Sequence, residues 1–169
     1  TGNGLRLGDI MRLAKNKSGS GPYLRNFHLL GDPAIRLAYP WYGQVITDSI
    51  NNIPVTGYAD SLNALSLVTI TGHIEDHKGK LARDFNGIVI PAVYDKPVRI
   101  KTLANDGGQT MEFDLRNNIV FSGKTRGYQG RFRFTFMVPR DINYTFGNGK
   151  ISYYAFNEKT DMNGCFTDI

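Results

Sequence analysis

The feature of the sequence that most constrains the fold is RFRFTFMV, residues 131–138, where apolar and polar side chains alternate. Successive side chains of a β-strand point to opposite faces, so the pattern predicts a strand with one buried face and one wet face. The buried face carries Phe132, Phe134, Phe136 and Val138, and the wet face carries Arg131, Arg133 and Thr135. Each buried phenylalanine contributes on the order of 1.5–3 kcal/mol. The chain therefore needs a β-rich core that can cover this face.

Seven other segments show strand signals, and glycine-rich turns separate several of them. The strand segments are residues 44–49, 65–75, 88–94, 98–103, 111–115, 119–122 and 150–156, and the turns are 77–80, 106–108 and 147–149. The 19 glycines, nine tyrosines and ten phenylalanines favour short strands joined by tight turns. Together these patterns predict a mainly β fold, an antiparallel β-sandwich with a short helical segment before it.

The first part of the chain has a different pattern. Ile10, Met11, Leu13 and Ala14 are spaced as on one face of a helix that covers residues 8–17, and SGSGP at 18–22 ends it. The pattern changes to strict alternation after AYPWYG, residues 38–43, so a domain boundary is predicted there. The predicted organisation is an N-terminal segment at 1–38, a junction at 39–43, a β-sandwich at 44–161 and a loose trailing segment at 162–169.

Charge and composition exclude some function classes. The net charge of +5 is spread over single basic residues without a run or a helical stripe, so nucleic-acid binding is not predicted. One cysteine cannot form an internal disulfide or a cysteine-based zinc cluster. No apolar run approaches the ~20 residues of a membrane-spanning helix, so no membrane span is predicted.

Residues that could carry catalysis or bind a metal are few. Cys165 would need an imidazole within hydrogen-bond reach to act as a nucleophile, and its position in the loose tail argues against that role. His73 and His77 are four residues apart, but they lie at a strand end and in a turn, which is poor geometry for a shared metal. His28 is interpreted as a core or junction residue. No catalytic residue, no cofactor-binding residue and no transition metal are predicted.

Calcium is the one cofactor that the sequence leaves open. Asp161, Asn163 and Gly164 follow the spacing of oxygen donors in a calcium loop, but the remaining ligands and the closing Glu are absent. Asp32 is assigned to turn chemistry, with Gly31 and Pro33 beside it. The glycine-containing segments TGNG and GNGK lack the spacing of a phosphate-binding loop and are interpreted as turns.

Aromatic residues raise the alternative of a carbohydrate- or protein-binding sandwich. Exposed rings stack on sugars, but an aromatic pair at a junction more often packs one module against the next. The aromatic residues considered are Trp41, Tyr42, Tyr58, Tyr94, Tyr128 and Tyr144. A structural module is the first hypothesis, a binding module the second, and an independent enzyme the third.

Two stretches of the sequence resemble one protein family. LLGDPAIRLAYP, residues 29–40, resembles the segment that closes the peptidase domain of the gingipain-family cysteine peptidases. SLVTITGHIED, DFNGIVIPAVYDK and the segment from FSGKTRGYQGRFRFTFMVPRDI to DMNG are similar to the immunoglobulin-like domain that follows the peptidase domain in type IX secretion sortases of Bacteroidetes.

The resemblance implies a parent protein at the cell surface, associated with the outer membrane, that removes C-terminal signals from secreted cargo. Residues 1–38 would be the tail of its peptidase domain, and the following immunoglobulin-like domain would be a non-catalytic accessory module. The family's catalytic His and Cys lie upstream of its Leu-Leu-Gly-Asp-Pro element, so no catalytic residue is carried over to this chain. The implied partners are the rest of the parent peptidase, secretion-system proteins and surface ligands.

Overall fold

The computed structural model describes residues 4–19, 21–22, 26–40, 42–56, 62–105, 107–142 and 147–169. The chain divides into two compact units, residues 1–41 and 42–169. Each unit is described by itself below.

The first unit contains helix α1, Leu7–Lys17. Asp9 lies in its first turn and Lys15 and Lys17 in its last, so each charge opposes the partial charge of the nearer helix end. Ser18 ends the helix, and its backbone amide and hydroxyl both donate to the Ala14 carbonyl, at 3.0 and 2.7 Å. The predicted helix is confirmed. Within the described part of the chain, no helix is long and apolar enough to cross a bilayer.

The Gly31-Asp32-Pro33 turn lies against the start of this helix. Asp32 Oδ1 accepts a hydrogen bond from the Ala34 amide at 2.8 Å, which confirms the turn role predicted for this carboxylate. The amides of Leu7 and Gly8 donate to the carbonyls of Ile35 and Pro33, at 2.9 and 3.0 Å. The first amides of a helix have no acceptor within the helix. Two of them find acceptors here in the carbonyls of Pro33 and Ile35. No residue of α1 is buried.

The described residues of the second unit form eleven strands. They are β1 (Gly43–Ile50), β2 (Ile53–Pro54), β3 (Leu67–Asp76), β4 (Gly87–Tyr94), β5 (Val98–Lys101), β6 (Glu112–Leu115), β7 (Ile119–Ser122), β8 (Thr125–Tyr128), β9 (Arg131–Met137), β10 (Lys150–Phe156) and β11 (Asp161–Phe166). Each predicted strand segment is present with shifts of a few residues at its ends. Strands β2, β8 and β11 have no counterpart in the sequence prediction.

The strands do not form the predicted immunoglobulin-like antiparallel β-sandwich, so that prediction is wrong. Seven strands pair in the order β10-β11-β1-β3-β9-β8-β4, and β4 pairs again with β10, which closes the sheet into a barrel. The β1–β11 pair is parallel and the other pairs are antiparallel. Strand β7 continues the sheet from β4, while β5 and β6 form a separate two-stranded ribbon.

The last part of the chain also differs from the expectation of a loose trailing segment. Residues 161–166 form β11, which pairs along its whole length with β10 and at Gln44 with β1. Met162 is fully buried in the core. Gly164 lies so close to β1 that an added Cβ would be 2.0 Å from the Val45 carbonyl oxygen. Backbone pairing and one deeply buried side chain therefore fix a segment whose polar composition suggests a tail.

The interior of the barrel is filled by the buried faces of the strands. Phe132, Phe134 and Phe136 are 5–7% exposed and point inward, as the alternation predicts. Phe136 stacks on Phe121 with ring centroids 4.8 Å apart, and Phe132 meets Tyr153 edge-on at 5.5 Å. The aromatic rings thus link the predicted phenylalanine strand to β7 and β10.

One hydrogen bond between side chains lies inside this core. The hydroxyls of Thr47 and Tyr153 are 2.8 Å apart and buried. Burial raises the pKa of the Tyr153 phenol far above its usual range. The phenol is therefore neutral and available as a donor at ordinary pH.

We expect Tyr153→Phe to lower the free energy of unfolding by about 1–3 kcal/mol, because it leaves the buried Thr47 hydroxyl without its partner. The double variant Thr47→Val and Tyr153→Phe removes both polar groups, and we expect it to recover a large part of that loss. Urea unfolding of the unsubstituted chain, of the two single variants Tyr153→Phe and Thr47→Val and of the double variant gives the four free energies of a double-mutant cycle. Strictly additive losses would contradict a coupled buried pair.

A matched pair of substitutions on β11 tests whether this strand belongs to the core. We expect Met162→Ala to destabilise the chain by about 2–5 kcal/mol, because it leaves a cavity in the barrel. Cys165→Ser lies on the exposed face of the same strand, and we expect a change within about 0.5 kcal/mol. Thermal and urea unfolding measure both. Equal and small effects would mean that β11 does not contribute to the core.

Candidate interaction surface

The most distinctive surface of the second unit is a groove beside the β8–β9 hairpin, with a volume of about 570 Å³, which we call the arginine groove. Its polar lining consists of Arg83, Arg126, Arg131, Arg133, Tyr128 and Gln129. Leu81 and Phe132 contribute its apolar lining. Four guanidinium groups therefore face one hollow of the surface.

The hairpin register explains how three of these arginines come together. Gln129 and Gly130 form a two-residue turn in which both residues have positive φ, 48° and 73°. Tyr128 then pairs with Arg131 and Gly127 with Phe132. The same register continued by one pair sets Arg126 opposite Arg133. Strand alternation sends these side chains outward and buries Gly127 and Phe132.

The fourth arginine comes from the segment between β3 and β4, which packs under the hairpin turn. The Gly130 amide donates to the Phe85 carbonyl at 2.9 Å, and the Gln129 amide donates to Asn86 Oδ1 at 3.0 Å. Ala82 and Phe85 are buried beneath this contact. The backbone that carries Arg83 is thereby fixed beside the hairpin.

The charge of the arginine groove is largely uncompensated. Asp48 lies 4.0 Å from Arg131 and is the one described carboxylate within ion-pair distance of the four guanidinium groups. The Arg83, Arg126 and Arg133 side chains make no hydrogen bond or ion pair with another described residue. Like charges that face each other across two strands destabilise a sheet. An anion in the groove would relieve this repulsion.

The alternating sequence pattern predicted a wet strand face for Arg131 and Arg133 but not the groove. The predicted strands lacked β8, since TRGY is short and has a glycine inside it. The signal was nevertheless present, because Gln129-Gly130 fits a two-residue hairpin turn and implies the Arg126–Arg133 pairing. The contribution of Arg83 depends on tertiary packing and had no local signal.

The predicted histidines lie in different settings. His73 is in β3, where its Nδ1 is 2.6 Å from Asp48 Oδ1 and its Nε2 is 3.1 Å from Glu75 Oε1. Carboxylates only accept, so both bonds form together when each ring nitrogen carries a proton. His77 is exposed in the turn after β3, away from the ring of His73. Among the described residues, no group of three or more His, Cys, Asp or Glu side chains could hold a metal ion.

The other residues weighed in the sequence analysis also have defined positions. Cys165 is exposed on β11, opposite Ser152 of β10, and makes no hydrogen bond to His73 or His77. His28 is exposed in the first unit, so of its two predicted roles the core role is wrong and the junction role stays a prediction. Asp161 and Asn163 lie in a β-strand with Gly164, where Asp161 accepts a hydrogen bond from Tyr154 at 3.1 Å. A straight strand cannot wrap these oxygens around a calcium ion.

The predicted aromatic platform is only partly within the described residues. Tyr42 is half-buried, packs against the core of the second unit and donates to Asp84 Oδ2 at 3.3 Å. Tyr94 is half-buried in β4, and Tyr128 is 69% exposed in the arginine groove. Trp41, Tyr58 and Tyr144 lie outside the described residues. The three described rings lie in separate settings and form no shared stacking surface.

The turn after β3 contains one carboxylate with an altered pKa. Asp76 Oδ1 accepts hydrogen bonds from the backbone amides of Lys80 and Lys78, at 3.0 and 2.8 Å. These bonds stabilise the charged form and lower the pKa of the Asp76 carboxyl below its usual value. Because the folded-state pKa is lowered, this contribution to stability is present at neutral pH and is lost as the pH falls through the lowered pKa.

We expect Asp76→Asn to flatten the acid limb of the stability profile, because the amide oxygen can still accept both bonds but cannot titrate. Urea unfolding from roughly pH 7 down to pH 3 measures the effect. Glu158→Gln is the matched control, since Glu158 is exposed and makes no hydrogen bond to another described residue. An unchanged acid limb in Asp76→Asn would contradict the role of the two amide bonds.

Comparisons with known proteins add an evolutionary relation. No known family matches the chain, and no curated protein matches it. The chain is similar to part of the crystal structure of dimeric latent PorU from Porphyromonas gingivalis, with a TM-score of 0.66 and 29% sequence identity. It also matches sporulation control protein Spo0M from Bacillus subtilis with a TM-score of 0.40 and 18% identity, over 76% of this chain and 49% of that chain. The second likeness is too weak to support an argument.

The match to PorU covers 98% of this chain and 16% of PorU. It therefore includes both units described above and a small part of the other protein. The sequence resemblance drawn from residues 29–40 and from the strand region covers the same two units. The chain is thus related in sequence and structure to one segment of PorU.

Proposed function

We propose that this chain is a non-catalytic accessory module of a larger cysteine peptidase of the gingipain type, a type IX secretion sortase that removes C-terminal signals from secreted cargo. The observation that carries the proposal is the match to PorU over nearly the whole chain, at 29% identity, with only 16% of PorU covered. In this proposal residues 1–38 close the peptidase domain, and the unit from residue 44 onward is the domain that follows it. The parent acts at the cell surface, associated with the outer membrane.

The burial of the first unit supports its place within a larger fold. None of its described residues is buried, and Leu30 is 96% exposed. A segment of about 40 residues cannot usually form a core alone. Several other large apolar side chains of this unit are also exposed: Leu5, Ile10, Leu13, Phe27, Ile35, Leu37 and Tyr39. Contact with the upstream peptidase domain would cover them, and this accounts for a helix with an uncovered apolar face.

The β5–β6 ribbon supports a docking role for the second unit. A two-stranded ribbon is marginally stable alone, and this one is held by cross-strand pairs such as Arg99 with Glu112 and Asp114, both at 3.4 Å. Phe113 and Leu115 remain more than a third exposed, and Leu103 and Met111 are more exposed still. The rest of the parent peptidase is the proposed partner for these apolar side chains.

The absence of a catalytic role is part of the proposal. Cys165, the one cysteine, lies on a strand exposed to solvent, and the two carboxylates at His73 engage both of its ring nitrogens. A cysteine nucleophile needs a base with a free ring nitrogen beside it. In this proposal the catalytic Cys and His belong to the peptidase domain of the parent and not to this chain. The alternative of a carbohydrate-binding module has less support, because Tyr42, Tyr94 and Tyr128, the described rings among those considered for it, lie in separate settings.

Two experiments test this function. Sequencing the gene upstream of the Thr1 codon is expected to show a peptidase domain with a Cys and a His, and an unrelated upstream domain would contradict the proposal. The second experiment deletes residues 42–169 from the parent in its own host and follows the size of a cargo protein by immunoblot. We expect unprocessed cargo while the shortened parent is still exported.

The control for the deletion is Lys159→Gln in the full-length parent, an exposed change in the turn between β10 and β11 that should leave cargo processing unchanged. The amount of parent at the cell surface is measured in each strain, so that loss of export is separated from loss of function. Normal processing by an exported parent without residues 42–169 would overturn the accessory role.

A further inference from the structure

The arginine groove has the chemistry of a binding site for an anionic ligand. It combines four guanidinium groups with an exposed tyrosine and Leu81, and one described carboxylate, Asp48, lies 4.0 Å from Arg131. We propose that the arginine groove binds an extended, carboxylate-rich segment of a partner protein. This proposal rests on the groove alone and stands or falls independently of the function proposed above.

The charge of the arginine groove is largely uncompensated. Arg83, Arg126 and Arg133 line one hollow, and the register of the β8–β9 hairpin, continued by one pair beyond Gly127 and Phe132, sets Arg126 opposite Arg133. Like charges in one hollow repel each other, and no described carboxylate lies within ion-pair distance of these three side chains. The arrangement becomes favourable when an anion bridges the guanidinium groups.

The kind of donor indicates the kind of anion. A guanidinium group presents a planar fork of N–H donors that matches the two oxygens of a carboxylate, and such bidentate pairs are stronger than neutral hydrogen bonds. The groove presents four arginines and no lysine. Lysine would supply the same charge without the fork, so the composition of the groove favours planar, two-oxygen ligands.

The spacing of the arginines favours an extended peptide. Arg131 and Arg133 are two residues apart on one strand, which separates their side chains by about 7 Å. Alternate side chains of an extended peptide have the same spacing, so glutamates at every second position can meet successive arginines. Tyr128, 69% exposed, and Leu81 offer contacts for the side chains between them. Single-stranded nucleic acid would instead need several rings for successive bases, and the described lining has one exposed ring.

The hairpin that carries the groove is held in place before any ligand arrives. The Ile74 amide donates to the Gly130 carbonyl at 2.8 Å, and the Gly130 amide donates to Phe85 at 2.9 Å. An added Cβ at Gly130 would lie 2.4 Å from the Ala82 carbonyl oxygen, so the turn is closely packed on the segment before β4. Within this chain, mainly the arginine side chains must lose freedom on binding, which lowers the entropic cost on the side of the groove.

The test uses the complete 169-residue chain and a labelled peptide in which glutamate alternates with threonine over roughly ten residues. Fluorescence anisotropy measures its affinity, and a peptide with glutamine in place of glutamate is the ligand control. We expect saturable binding of the glutamate peptide that weakens as salt rises. Failure of the glutamate peptide to bind at low salt would overturn the proposal.

Three sets of substitutions locate the site. We expect Arg83→Gln, Arg126→Gln and Arg133→Gln together to weaken binding by about tenfold or more, because each removes charge-assisted hydrogen bonds. The same three positions changed to lysine keep the net charge but lose the fork, so we expect an intermediate affinity. The matched control changes Arg99, Lys101 and Arg116 to glutamine, which removes equal charge outside the groove and should alter affinity by no more than about twofold.

Thermal unfolding of each variant verifies that the chain remains folded, since all six positions are exposed. An equal loss of affinity in the control set would assign binding to net charge and would overturn the groove as a site. Competition with a heparin-type polysaccharide and with oligodeoxythymidylate distinguishes other polyanions. Each competitor is compared with unlabelled glutamate peptide at the same concentration of negative charges. If either polyanion displaces the labelled peptide more effectively than the unlabelled glutamate peptide does, the assignment to an acidic protein segment is wrong.

Discussion

The architecture of the second unit depends on the closure of its sheet. Strand β4 pairs with β10 on one edge and with β8 and β7 on the other, so the first and last strands of the ring meet. Closure removes unpaired strand edges, which otherwise present free amides and carbonyls to solvent. It also forces the apolar faces of all seven strands inward, where Phe132, Phe134 and Phe136 meet Tyr153 and Phe121. The buried core and the polar outer face are two consequences of the same ring.

Two of the three strands that the sequence prediction lacked, β8 and β11, are needed to close the ring. Strand β8 joins β9 to β4, and β11 joins β10 to β1. Without them, the remaining strands fall into one group of β1, β3 and β9 and another of β10, β4 and β7. The sandwich was predicted from the number of short strands and from the family resemblance, neither of which specifies pairing. Both missed segments are poor in β-branched residues, and each contains a glycine, Gly127 or Gly164, close to a neighbouring backbone or ring. Local propensity could not identify them, because tertiary packing makes them strands.

The sequence predicted side-chain burial best where apolar and polar residues alternate within one strand, as in β9. The inward set of β9 was correctly predicted from sequence, and the outward set, Arg131 and Arg133, was correctly placed on the wet face. The arginine groove needed two further facts that lie outside any single strand, namely the pairing of Arg126 with the β9 arginines and the packing of Arg83 under the turn. A strand pattern states which face a side chain occupies, but register and loop packing decide its neighbours. The arginine groove is formed by β8, β9 and the segment before β4, so it is the part of this molecule that is hardest to predict from sequence.

A relation to PorU and the pairing of the strands depend on different features of the sequence, which is why the relation holds although the sandwich prediction is wrong. The resemblance depended on turn and close-contact residues such as Gly31, Asp32 and Gly130, whose backbone geometry or neighbours restrict the residue type. An added Cβ at Gly72 would lie 2.4 Å from the Phe132 ring, so glycine there is a requirement of packing. Such positions restrict the residue type, because few other residues satisfy them. They do not specify which strands pair, since a turn fixes only the two strands that it joins. Closure of the barrel depends instead on the β4–β10 and β1–β11 pairs, which join distant parts of the chain.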